Sequence, residues 1–189
     1  MKKVLFVNAC VRPQSRTFAL ARQVLEKLGG QITEVSLCRE NLAPLDWAQL
    51  ERRNQLLAEQ DFSAPMFRHA VQFAQADEIV IAAPYWDLAF PASLRVYFEH
   101  VTVTGLTFRY APEGTPVGMC NAKRLIYVTT AGGPLTPQNL GYDYVKALAT
   151  TFYGIENVLY FKAENLDIWG ADVDGILWAA AEKIKNTPL

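Results

Sequence analysis

Cysteine and histidine are scarce in this chain. Three cysteines stand far apart at positions 10, 38 and 120, and the two histidines are His69 and His100. An odd, widely spaced cysteine set with no Cys-x-x-Cys pair excludes a disulfide framework and a thiolate zinc site. Two distant histidines leave no histidine metal cluster. A reducing cytoplasm is the expected compartment. Neither sign of charge is in excess: 18 Lys and Arg face 19 Asp and Glu, a formal net charge of −1. That excludes a nucleic-acid binder relying on phosphate neutralisation, and argues against a basic membrane-surface protein or a strongly acidic electron carrier. No run of about 18 apolar residues is present, so no helix is expected to span a bilayer. The apolar start, Met1 to Val7, is too short for a signal peptide and no small-residue cleavage site follows it; it reads as a buried strand. Also missing are Gly-x-Gly-x-x-Gly and the Walker Gly-Lys-Ser/Thr, so a dinucleotide or triphosphate on a glycine-rich turn is not expected.

What is present is apolar material and a regular alternation. Aliphatic, aromatic and cysteine residues make up 51% of the 189 residues, enough to exclude a disordered chain. The length suits one domain, residues 1–189, burying roughly 70% of its unfolded surface. Val4 to Val7 is a short apolar run, as in a strand buried on both faces. Phe18, Ala21, Leu25 and Leu28 recur at helical spacing and Gly29-Gly30 ends that helix. Gln31 to Leu37 is β-branched and alternating, which predicts an edge strand. Asp46 to Gln60 reads as a polar surface helix with a thin stripe of Trp47, Leu50 and Leu57. Phe67, Ala70, Val71 and Ala74 predict another helix, and Glu78 to Ala83 a buried strand stopped by Pro84.

Leu94, Tyr97, Phe98 and Val101 give the next helix. Residues 104–120 have no clear periodicity and read as the longest connection. Arg124 to Thr129 is a strand, Val145 to Phe152 a helix closed by Gly154, and Val158 to Phe161 the last strand. Val173, Ile176, Leu177, Ala180 and Ile184 form a final helix with Asp172 as N-cap. Five strands separated by helices predict a doubly wound α/β fold: a parallel sheet with helices on both faces. With strand order 2-1-3-4-5 the ligand lies outside the carboxyl ends of the strands, where the order reverses. The segments that matter are then 9–17, 84–90 and 130–136.

The first of these runs Ala9-Cys10-Val11-Arg12-Pro13-Gln14-Ser15-Arg16-Thr17 into a helix. A helix N-terminus presents free amides and partial positive charge, which suits phosphate. Ser15 and Thr17 add hydroxyls, and Arg12 and Arg16 add forked cationic donors. A capped helix with solvated side chains is the plainer alternative. A rival chemistry occupies the same loop: Cys10, five residues, then Arg16 has the spacing of a cysteine-dependent phosphatase loop. Pro13 removes an amide that such a loop uses, and no Asp-Pro pair supplies a general acid.

The second segment, Pro84-Tyr85-Trp86-Asp87-Leu88-Ala89-Phe90-Pro91, is aromatic and bracketed by prolines, which suits a flat ring. Asp87, if buried, needs a hydrogen-bond donor, and a ring imide N–H would serve. The third, Thr129-Thr130-Ala131-Gly132-Gly133-Pro134, allows close backbone approach and offers amides to negative charge on a reduced ring. Core packing and a plain strand-ending turn are the respective alternatives.

Together, Ala82-Ala83-Pro84-Tyr85-Trp86-Asp87, Ser93-Leu94-Arg95-Val96-Tyr97-Phe98, Gly105-Leu106-Thr107-Phe108-Arg109-Tyr110, Thr130-Ala131-Gly132-Gly133 and Tyr153-Gly154-Ile155 resemble the FMN-dependent NAD(P)H azoreductase and quinone reductase family of the flavodoxin-like fold. The resemblance covers nearly the whole chain except 46–60, which is shorter than in typical members. It implies that Ser15 to Thr17 hold the FMN phosphate, with Cys10, Arg12 and Arg16 in the same loop. It implies that Pro84, Tyr85, Trp86, Asp87 and Leu88 line the isoalloxazine, and that Thr130, Ala131, Gly132 and Gly133 meet its pyrimidine end. It further implies a homodimer with Phe108 and Tyr110 at the site or dimer seam, and NADH or NADPH as electron donor. Hydride passes through flavin N5 to a quinone, azo or similar small-molecule acceptor in a ping-pong cycle, so no catalytic side chain is required.

The sequence departs from the family pattern in places. Ala9 or Cys10 replaces a common serine, and the phosphate loop is one residue shorter and carries Pro13. Asp87 stands for a frequent asparagine and Ala131 for a frequent arginine. An electron carrier is the non-enzymatic alternative, though carriers are shorter and more acidic. Outside the site, His69 is expected on a helix surface, and Cys38 and Cys120 as inert packing residues. His100 lies near the aromatic loop's helix, and Trp47 is placed to shield a partner's flavin.

Overall fold

In the computed structural model, which describes residues 1–189, strands and helices alternate as the periodicity predicts. Strand β1 (Lys3–Asn8) leads to helix α1 (Arg16–Leu28), then β2 (Gln31–Ser36), α2 (Trp47–Ala58), α3 (Arg68–Gln75), β3 (Glu78–Ala82) and α4 (Ala92–Val101). A hairpin of β4 (Phe108–Tyr110) and β5 (Pro116–Gly118) precedes β6 (Leu125–Thr130), α5 (Tyr142–Leu148), β7 (Val158–Ala163) and α6 (Val173–Asn186). The main sheet has order β2-β1-β3-β6-β7, and every neighbouring pair is parallel. This is the expected 2-1-3-4-5 order, with the hairpin outside the sheet.

The period-2 alternation of the central strands divides the core in two. Leu5 and Val7, Ile79 and Ile81, and Leu125 and Tyr127 face the layer of α3, α4 and α5. Val4 and Phe6, Val80 and Ala82, and Ile126 and Val128 face α1 and α6. Strands buried on both faces need no polar alternation, which is why they read as continuous apolar runs. The chain passes from β1 to β2 on one side and returns to β3 on the other, so the order reverses beyond the carboxyl ends of β1 and β3. At the opposite end, Arg124 clamps Glu78 through two hydrogen bonds of 2.8 and 2.7 Å, pinning β6 to β3.

Several expectations need correction. Residues 104–120 hold the β4–β5 hairpin rather than an irregular connection; its strands are three residues each and include Pro116 and Gly118, which hides their alternation. The hairpin docks where Gly118 meets the backbone of Tyr153 and Gly154 with no room for a Cβ. Helix α2 is capped by Asp46 and Gln49 reciprocally, at 2.8 and 3.1 Å, but its buried contact is Leu56 and Trp47 is exposed. His69 is buried, not on the surface. Its ring meets Tyr97 edge-on, and Nε2 lies 3.1 Å from an Arg68 nitrogen and 3.5 Å from Glu40. Burial, reinforced by the Arg68 charge and opposed by Glu40, lowers its pKa. Cys38 is exposed, whereas Cys120 is largely covered and burial pushes its thiol up to about 12.

Candidate functional site

At the point where strand order reverses lies a cavity of about 460 Å³, within the size range of small-molecule and cofactor sites. Its walls come from the ends of β1, β3, β6 and β7. Asn8 turns the chain out of β1: its side-chain oxygen accepts from the Cys10 amide at 3.0 Å, while its amide nitrogen donates to Glu34 at 2.9 Å. Ser15 then caps α1, its hydroxyl accepting from the Phe18 amide at 3.2 Å. The amides of Gln14, Ser15, Arg16 and Thr17 have no partner within the protein and stand at the positive end of a 13-residue helix. Such an end attracts an anion.

The other walls are tied to this one. Thr17 and Thr130 share a hydroxyl hydrogen bond of 2.7 Å. The Tyr85 amide donates to the Thr130 carbonyl at 3.0 Å, extending the β3–β6 pairing past the strands. The Tyr85 hydroxyl lies 2.9 Å from that of Thr136. After β6, the Gly132 and Gly133 carbonyls accept from the amides of Asp167 and Asn165 at 2.8 and 3.1 Å, while their own amides are unpaired. Arg16 reaches across to donate to Asp167 at 2.8 Å and to the Leu166 carbonyl at 3.3 Å.

The three segments singled out by sequence therefore do converge. Arg12, Ser15, Arg16 and Thr17 line the cavity, as do Pro84, Tyr85 and Trp86 from the second segment and Thr130, Ala131 and Gly132 from the third. Gly133 is not part of the lining. Asp87 and Leu88 are exposed at the tip of a two-residue turn between Trp86 and Ala89 and do not line the cavity either, so Asp87 needs no buried partner. Phe108 is buried against Phe152 and Tyr110 is exposed, both on the hairpin and outside the lining. His100 is engaged by the Ala43 carbonyl at 2.8 Å.

Cys10 is also outside the lining. Its sulfur is buried 3.8 Å from the Ala82 carbonyl, and burial pushes the thiol up to about 11, with only a partial offset from Ser15. A nucleophilic cysteine needs the opposite, an accessible thiol with a depressed pKa. The phosphatase reading of Cys10 and Arg16 thus loses its nucleophile.

Val11, Gln14, Leu166 and Asp167 complete the lining and were not singled out from sequence. The first two lie inside the first segment. Leu166 and Asp167 follow the last strand, a segment outside the loops that the switch-point rule selects. Their signal is topological: the strand they follow pairs with β6, so its loop adjoins the Gly132 turn.

Comparison with known proteins gives a consistent result. The family profile described as flavodoxin-like fold matches residues 2–187. An FMN-dependent NADH:quinone oxidoreductase 2 of Clostridium acetobutylicum is 34% identical over 198 residues, covering 98% of each chain. An FMN-dependent NADH:quinone oxidoreductase of Lachnoclostridium phytofermentans is 35% identical, covering 97% of this chain and 96% of the relative. Among solved structures, an azoreductase from Bacillus anthracis superposes with a TM-score of 0.85 at 26% identity, covering 97% of both chains.

Proposed function

Because this chain belongs to the flavodoxin-like fold family, we propose that it is an FMN-dependent NAD(P)H oxidoreductase that reduces quinones, azo compounds or similar acceptors. The observation that carries this reading is the set of unpaired amides at the N-terminus of α1, facing Tyr85 and Trp86 within one cavity. One end suits a phosphate and the other a flat ring, and the distance between them is bridged by the Thr17–Thr130 and Arg16–Asp167 contacts. Full-length relatives at 34% and 35% identity carry names of the same activity. Bound there, FMN would supply the redox chemistry, hydride transfer from NADH or NADPH to the acceptor by the ping-pong route through N5 that the family resemblance implies.

The residues bind, orient and tune. Ser15, Arg16 and Thr17 hold the phosphate with their backbone amides, beside the Ser15 hydroxyl, and Arg12 adds positive charge. Pro84, Tyr85 and Trp86 cover the ring. The unpaired amide of Gly132 lies at its edge, where it stabilises negative charge. Cys10, buried beneath the first loop, supports that wall from behind the lining. Two copies assemble so that Tyr110, steadied edge-on by Phe108 at 5.3 Å, and the exposed Trp47 approach the partner's site. The enzyme works in the cytoplasm.

The deciding experiment is calorimetric titration with FMN, followed by NADH and NADPH oxidation with a quinone and no added reductase. Micromolar FMN uptake and quinone-dependent oxidation are expected. Uptake without oxidation would favour an electron carrier, and no uptake would overturn the reading.

A further inference from the structure

Asp167 is the one acidic side chain lining the cavity. Its backbone is fixed: the Asp167 amide donates to Gly132 at 2.8 Å and the Leu166 amide to Ala131 at 3.2 Å. One carboxylate oxygen accepts from Arg16. The other has no partner in the protein and lies against Gly132, where a Cβ would collide with it. The remaining charged side chains of the lining are the cations Arg12 and Arg16, beside unpaired amides. In a recess built for an anion, a carboxylate opposes binding unless the ligand brings a donor to it.

Its position says which donor. Arg16 links Asp167 to the helix end that suits a phosphate, and Gly132 links it to the turn that suits the ring edge. The carboxylate therefore spans the stretch between the two ends, one oxygen on Arg16 and the free one on the Gly132 side. We propose that Asp167 reads the hydroxylated chain that joins phosphate to ring, accepting hydroxyl hydrogen bonds on its free oxygen while its other oxygen holds Arg16 toward the phosphate. This assignment rests on the flavin reading above. It makes Asp167 a specificity residue for a polyol-linked flavin, outside the three segments that the sequence pointed to.

The test compares FMN with an analogue whose chain hydroxyls are replaced by hydrogen, leaving ring and phosphate unchanged. Wild-type protein and Asp167→Ala are titrated with both by fluorescence quenching. Asp167 is 67% exposed, so the variant is expected to fold, with circular dichroism and a melting midpoint that match wild type. Wild type is expected to bind the analogue about tenfold more weakly than FMN, and Asp167→Ala to bind the two within about twofold of each other. Equal weakening of both ligands by Asp167→Ala would place its role on the phosphate or ring and overturn the assignment. So would no effect on either. Wild-type protein that takes up neither ligand overturns the flavin reading itself, and the assignment with it.

Discussion

The hydroxyls of Thr17 and Thr130 lie 2.7 Å apart, joining the first turn of α1 to the last residue of β6. Thr17 is buried, so its hydroxyl has no water to replace Thr130. Isosteric Thr17→Val and Thr130→Val should each cost about 1 kcal/mol. The double variant should cost scarcely more than either, because both remove the same bond. Urea denaturation of the four proteins checks this; fully additive losses would mean the two hydroxyls do not depend on each other.

Gly118 stands where β5 meets the backbone at Tyr153 and Gly154, beyond the end of α5. A Cβ there would strike Tyr153 carbonyl carbon and Gly154 backbone atoms, which cannot rotate aside as a side chain would. Gly154 is itself held at φ +71°, so the facing turn has little freedom. Gly118→Ala should destabilise the protein by about 2–3 kcal/mol. An unchanged urea midpoint would show that the hairpin does not dock at this point.

His69 should make stability depend on pH. Its pKa is lowered in the fold, by burial first and by Arg68 second. The unfolded state therefore binds more protons, and stability rises with pH. The contribution is full above the unfolded value of about 6.5 and is lost as pH falls below it. His69→Gln, which keeps an acceptor for Arg68, should flatten the melting midpoint between pH 7 and pH 5. A wild-type midpoint already flat across that window would refute the linkage.

Legibility in the sequence followed physical scale. The central strands were readable because burial on both faces leaves uninterrupted apolar runs such as Val4 to Val7 and Ile79 to Ile81. One helix end was readable because a single side chain does the capping, at Asp172; Ser15, read for its hydroxyl, turned out to cap α1. The hairpin was hidden because three-residue strands containing proline and glycine carry no period. His69 was misplaced because a polar residue on an amphipathic helix reads as outward until its packing against Tyr97 is seen. Asp167 was invisible because its neighbours in the cavity, Arg16 and Gly132, are distant in sequence and meet it only through the β6–β7 pairing.

Asp87 and Leu88 close the turn between Trp86 and Ala89 with φ of +49° and +69°. Two consecutive positive φ values define a tight hairpin turn that favours Asn-Gly. A leucine in this region costs about 1–2 kcal/mol in backbone strain. Leu88 is 51% exposed, so burial of its side chain offsets little of that. Leu88→Gly relieves the strain but gives the unfolded chain more freedom; the balance should be a gain of up to about 1 kcal/mol. Strained residues at the ligand-facing ends of strands are retained where the conformation or side chain serves binding. The same variant should therefore raise the melting midpoint while weakening acceptor binding, seen as a higher KM for a quinone at unchanged FMN affinity. A stabilised variant with unaltered kinetics would show the turn to be strained without purpose, and a destabilised one would show that Leu88 makes contacts outweighing its strain.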